Sequence, residues 1–62
     1  MRLVWTLTTS GQRNYYIEDG KLTFCLTTYD DFDEEYVTCF DGTKWIAVND
    51  TKIIKKIKKV IK

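Results

Sequence analysis

Asn49-Asp50-Thr51-Lys52-Ile53-Ile54-Lys55-Lys56-Ile57-Lys58-Lys59-Val60-Ile61-Lys62 is the stretch on which the reading of the fold turns. Its apolar residues Ile53, Ile54, Ile57, Val60 and Ile61 recur at i, i+1, i+4, i+7 and i+8. At ~100° per residue they fill an arc of roughly 120°, one face of an α-helix. Lys52, Lys55, Lys56, Lys58, Lys59 and Lys62 take the remainder, and lysine near a helix C-terminus is favoured by the helix dipole. Asn49, Asp50 and Thr51 supply oxygens for an N-cap. Strand alternation fails over the same residues. A helix over 51–62 is too short to stand alone in water, so it is expected to dock on something.

N-terminal to the helix the pattern changes to runs of Thr, Val, Ile, Tyr, Phe and Trp, residues that fit a pleated surface. Ser10-Gly11, Asp19-Gly20 and Asp41-Gly42 punctuate these runs as turns. Strands are predicted at about 2–9, 13–18, 21–29, 35–40 and 43–49. A type I′ turn at Asp19-Gly20 sets Glu18 opposite Lys21, Ile17 opposite Leu22 and Tyr15 opposite Phe24. A three-residue loop from Ser10 to Gln12 then places Leu7 opposite Tyr15 and Trp5 opposite Ile17. One face collects Leu3, Trp5, Leu7, Tyr15, Ile17, Leu22, Phe24 and Leu26. A two-residue first loop slips the register by one and mixes the faces, so the longer loop is expected.

A turn at Asp41-Gly42 puts Tyr36, Phe40, Trp45 and Ala47 on one side and Val37, Cys39, Ile46 and Val48 on the other. Strands apolar on both faces suit a sheet that curls or packs a helix at that end. The expected architecture is α+β: one domain over 1–62, an antiparallel meander of four to five strands curled toward a half-barrel. A C-terminal amphipathic helix packs on it. The order of elements resembles that of small archaeal chromatin proteins with an SH3-like barrel. No motif of theirs matches residue by residue, so no site is carried over.

The chain has 62 residues, 44% apolar and 15% aromatic, a globular composition with a thin core. It has no histidine, which removes imidazole acid–base chemistry and the commonest metal ligand. No catalytic group, cofactor or metal site is expected. Cys25 and Cys39 are too few for a four-thiolate zinc site. Met1-Arg2-Leu3-Val4-Trp5 reads directly as strand and not as a leader, so an intracellular, cytoplasmic setting and two reduced thiols are expected. A loop centred on Phe32 sets Cys25 opposite Cys39, and a cross-strand disulfide is the alternative.

Charge is sorted along the chain. Residues 1–20 are neutral, residues 21–50 carry a net −5 and residues 51–62 carry +6, within an overall +1. The acidic run Asp30-Asp31-Phe32-Asp33-Glu34-Glu35 lacks the spacing of an EF-hand calcium loop. Tyr29, Phe32 and Tyr36 stand within or beside it as aromatic anchors, which makes residues 29–36 the candidate partner-binding loop. The expected function is a non-enzymatic interaction module, an inhibitor of the phage or mobile-element type that binds a host protein. The Ile- and Lys-rich composition resembles that of small proteins from AT-rich bacteria and their phages. Two alternatives use the helix: phosphate contacts from its six lysines to nucleic acid, or attachment to an anionic membrane surface. A homodimer through an exposed edge strand or a leftover apolar face is a further expectation for so small a domain.

Overall fold

A computed structural model describes residues 1–61. The chain forms β1 (Arg2–Thr9), β2 (Gln12–Asp19), β3 (Leu22–Tyr29), β4 (Glu35–Phe40), β5 (Trp45–Ala47) and one helix, α1 (Thr51–Ile61). The strands make one antiparallel sheet in the order β1-β2-β3-β4-β5, and α1 returns across it to contact β1. This is the α+β meander-plus-helix that the sequence pattern indicates, with β5 shorter than expected.

The isoleucine stripe is what joins the two layers. Ile57 has no exposed surface, and neither has Ile17 of β2, against which the core forms together with Phe24, Leu26 and Val37. Ile53, Ile54, Val60 and Ile61 pack around that cluster, as do Tyr15, Cys39 and Val48. Asp50 starts the helix: its carboxylate accepts from the Lys52 N–H at 2.9 Å and the Ile53 N–H at 3.5 Å. Its carbonyl accepts the Ile54 N–H at 3.1 Å. An N-cap aspartate of this kind satisfies donors that the first turn otherwise leaves open.

All three tight connections differ from the registers expected for them. Between β2 and β3 the loop is Gly20-Lys21, with Asp19 paired to Leu22 and Ile17 to Phe24. Gly20 takes the first loop position at φ 61°, where a type II′ turn places glycine. Asp19 therefore stays in the strand, and Glu18 bonds to Arg2 at 3.3 Å in place of Lys21. Between β4 and β5 the loop runs from Asp41 to Lys44, which sets Phe40 opposite Trp45 and Cys39 opposite Ile46. The Asp41 carboxylate holds it, accepting from the Thr43 N–H, the Thr43 hydroxyl and the Lys44 N–H at 2.8 to 2.9 Å.

The first connection carries the larger correction. Thr9 pairs with Gln12, so the loop is the two residues Ser10-Gly11, with Gly11 at φ 80°. Leu7 consequently faces Asn14 and Trp5 faces Tyr16, on the side away from the helix. The register then shifts between Trp5 and Leu3: Val4 is an extra residue, a β-bulge, and Leu3 returns to pair with Ile17. Trp5 and Leu7 do not belong to the helix-side core.

Cys25 and Cys39 are also separated. Thr28 pairs with Glu35, which sets Cys25 opposite Thr38 and Cys39 opposite Phe24. The two thiols project from opposite faces of the sheet and both are free.

Candidate functional site

Alternation along the strands assigns every aromatic residue of the sheet to a side. Tyr15 and Phe24 share the helix side with Ile17, Leu26 and Val37. Trp5, Tyr16, Tyr29, Tyr36, Phe40 and Trp45 project from the other side, which no element among the described residues covers. The helix-free face is therefore the aromatic one.

Its aromatics form two groups. At one end Phe40 and Trp45 lie with ring centroids 5.2 Å apart, and Tyr16 meets Trp45 edge-on at 6.4 Å. Trp5, directly across from Tyr16 on the edge strand, is 63% exposed. Between the strands that carry Tyr16 and Trp45 stand the small residues Cys25 and Thr38, a direct pair. The two large rings meet across that gap, and Cys25 is buried on the same face, its thiol against Asn14 and Thr27. Partial burial raises the Tyr16 phenol above its usual pKa, and the neighbouring Cys25 thiol adds to the rise.

At the other end Tyr29 stacks on Phe32, centroids 4.6 Å apart, and meets Tyr36 edge-on at 6.0 Å. Tyr36 donates its hydroxyl to Glu34 at 2.6 Å, which raises the phenol's pKa through that bond and the carboxylate charge. The loop starts from a fixed point, because the Asp30 N–H donates to the Gly11 carbonyl at 3.1 Å. Asp30, Asp31, Phe32, Asp33 and Glu34 are all exposed. Between the two aromatic groups sits a polar patch in which Asn14 accepts from Thr27 at 2.7 Å and from Gln12 at 3.3 Å.

The structure thus brings together Tyr29, Phe32, Tyr36 and Glu34 of the candidate loop. Glu35 departs from the group: it lies on the helix side of β4 and forms an ion pair with Lys58. Trp5, Leu7, Tyr16, Phe40 and Trp45 extend the surface well beyond the loop. Phe40 and Trp45 were legible as one face in the sequence; Trp5 and Leu7 needed the two-residue turn.

Lys52, Lys55, Lys56, Lys58 and Lys59 are exposed on α1, on the opposite side of the sheet from the aromatics. Lys62 lies outside the described residues. The helix's isoleucine face is occupied by the sheet, and no described helix is long and apolar enough to cross a membrane. Among the described residues no three acidic or thiol side chains converge on a position that would hold a metal ion. A cleft of about 220 Å³ lies where β5 ends, lined by residues including Glu35, Tyr36, Val48 and Ile54. That volume is below the roughly 300–1,000 Å³ usual for small-molecule sites. No protein-family model matches the sequence, and no curated protein or solved structure matches it either.

Proposed function

We propose that this chain is a non-enzymatic protein-binding module whose contact surface is the helix-free face of the sheet together with the acidic loop at its end. The observation that carries this reading is the separation of chemistry between the two sides. Exposed aromatics run from Trp5 and Trp45 to Phe32 and Tyr36, and carboxylates border them at the loop. The helix lysines lie behind the sheet. Aromatic residues are enriched at protein interfaces, where they contribute much of the binding energy. The acidic border selects a partner with a positively charged surface and steers its approach. An intracellular inhibitor of the phage or mobile-element kind, which acts by covering such a surface on a host protein, is the role this arrangement suits.

A base-stacking surface for single-stranded nucleic acid is the natural competitor for an aromatic sheet face. Such surfaces combine stacking rings with cations that track the backbone on the same side. Here the loop beside the rings is acidic, the helix lysines are on the far side, and Arg2, the strand cation on the aromatic side, is paired with Glu18. A purely electrostatic contact from the helix to duplex phosphate uses none of the aromatic face.

The test is capture from a host lysate by the immobilised chain, compared across variants. Phe32→Ala combined with Glu34→Lys should lose the protein captured by the wild type, and Lys55→Glu with Lys56→Glu should keep it. Capture should weaken as salt is raised, since exposed charge contacts are screened over about 8–10 Å at 0.1–0.15 M. Retention by the loop variant together with loss by the helix variant would assign the interaction to α1 and reject the proposal.

A further inference from the structure

We propose that two copies of this chain associate through the free edge of β1, antiparallel about a two-fold axis at Leu7, to give one continuous ten-stranded sheet. β1 is at the end of the strand order and pairs only with β2. All eight of its residues are exposed, although α1 touches the strand. An edge this long presents a row of unpaired N–H and C=O groups, and protected edges carry lysine, proline or a bulge along their length. Here the bulge at Val4 is close to the N-terminal end. It leaves Trp5–Thr9 regular, with no charged residue and no proline.

That regular segment is complementary to itself. With Leu7 on the axis, Trp5 of one copy lies opposite Thr9 of the other, and Thr6 lies opposite Thr8. Trp5, Leu7 and Thr9 share the aromatic side, while Thr6 and Thr8 share the helix side, so faces are preserved across the join. Cross-strand pairing then covers Trp5 and Leu7, exposed by 63% and 43% in the single chain.

The ends of the pairing match in charge. At ~3.3 Å per residue, Arg2 of each copy extends past the other's Thr9 to the Ser10-Gly11 turn. The acidic loop begins beside that turn, tied to it by the bond from the Asp30 N–H to the Gly11 carbonyl. Arg2 has 75% of its side chain exposed and is free to shift its partner from Glu18 toward that loop. The two-fold axis makes this contact twice, which favours a second copy over an unrelated strand. The pairing also doubles the width of the aromatic face.

Sedimentation equilibrium of the full chain at micromolar concentration tests the proposal. The wild type should sediment at twice the monomer mass, and Leu7→Lys, which sets two like charges on the axis, should sediment as a monomer with unchanged circular dichroism. Leu7→Cys provides a second reading that does not depend on that variant folding. On mild oxidation it should form a disulfide-linked dimer that the wild type, with Cys25 buried and Cys39 packed against the helix-side core, does not form. A monomeric wild type, a Leu7→Lys chain that stays dimeric, or a Leu7→Cys chain that fails to cross-link would each overturn the proposal.

Discussion

The ring of Tyr16 on β2 meets the indole of Trp45 on β5 with centroids 6.4 Å apart, across the two intervening strands β3 and β4. Contact over that span is made by side chains leaning inward above Cys25 and Thr38, which are too small to keep them apart. Cys25, the direct partner of Tyr16, is buried on this same face, with its thiol 3.9 Å from the Asn14 Oδ1 and 3.7 Å from the Thr27 Oγ1. Trp45→Ala removes the ring that Tyr16 meets and should open this face: reaction of Cys25 with a thiol reagent should accelerate several-fold, while Cys39, on the opposite face, should react at its former rate. Mass-spectrometric mapping of labelled cysteines against time separates the two. An unchanged Cys25 rate would show that the indole shields nothing.

Ile57 is the helix residue most deeply set in the core, packed with Ile17, Phe24, Leu26 and Val37. Truncation of a fully buried isoleucine costs about 2–5 kcal/mol. In a domain this small that approaches the whole of its stability, so Ile57→Ala should shift the urea midpoint far down or abolish cooperative unfolding. Lys56→Ala, one residue away and exposed, should change stability by no more than about 0.5 kcal/mol.

Val4 is extra to the ladder, since Leu3 and Trp5 pair with the successive residues Ile17 and Tyr16. Deleting Val4 should remove the bulge and leave Leu3 facing Ile17 and Arg2 facing Glu18. Cross-strand proton contacts between those pairs should persist in nuclear magnetic resonance spectra of the deletion variant. Their replacement by contacts one residue out of step would show that the bulge is required for the register.

Asp41 holds the β4–β5 loop through its carboxylate, and backbone N–H donors from Lys44 and Thr43, with the Thr43 hydroxyl, keep its pKa below the usual value. A folded-state pKa below the unfolded one means that the contribution is fully present above the unfolded value and lost as pH falls through the folded value. Acidification should loosen this loop, seen as movement of the Thr43 and Lys44 amide resonances on a curve with a midpoint below that of an exposed aspartate. In Asp41→Asn that titration should disappear.

How much of this was legible in the sequence follows from the two-residue period of a strand. The β2–β3 and β4–β5 registers each differ from the simplest turn reading by two residues, and an even slip leaves every side chain on its expected face. For that reason Ile17, Phe24 and Leu26 are legible as one apolar face, and Val37, Cys39 and Ile46 as another, while Ile57 follows from the helical period of α1. The first hairpin differs by one, and an odd slip moves Trp5 and Leu7 to the other side. The same parity separates Cys25 from Cys39.

Maximising apolar contact in the first hairpin pointed to the longer loop. Gly11 accepts the tighter turn, the Val4 bulge recovers Leu3 for the core, and the aromatic face accommodates the rest. The acidic-aromatic loop was visible as composition. Its stacking of Tyr29 on Phe32, and the turning away of Glu35 to Lys58, depend on side-chain geometry that spacing alone does not specify.

Site-specific photo-cross-linking in a host lysate probes the functional account most directly, because it reports which side of the sheet another protein touches. A photoreactive residue at position 45, on the aromatic face, should yield a discrete protein adduct that is lost when Phe32→Ala and Glu34→Lys are added. The same group at position 56, on the lysine face of α1, should yield none. An adduct formed from position 56 and absent from position 45 would contradict the account.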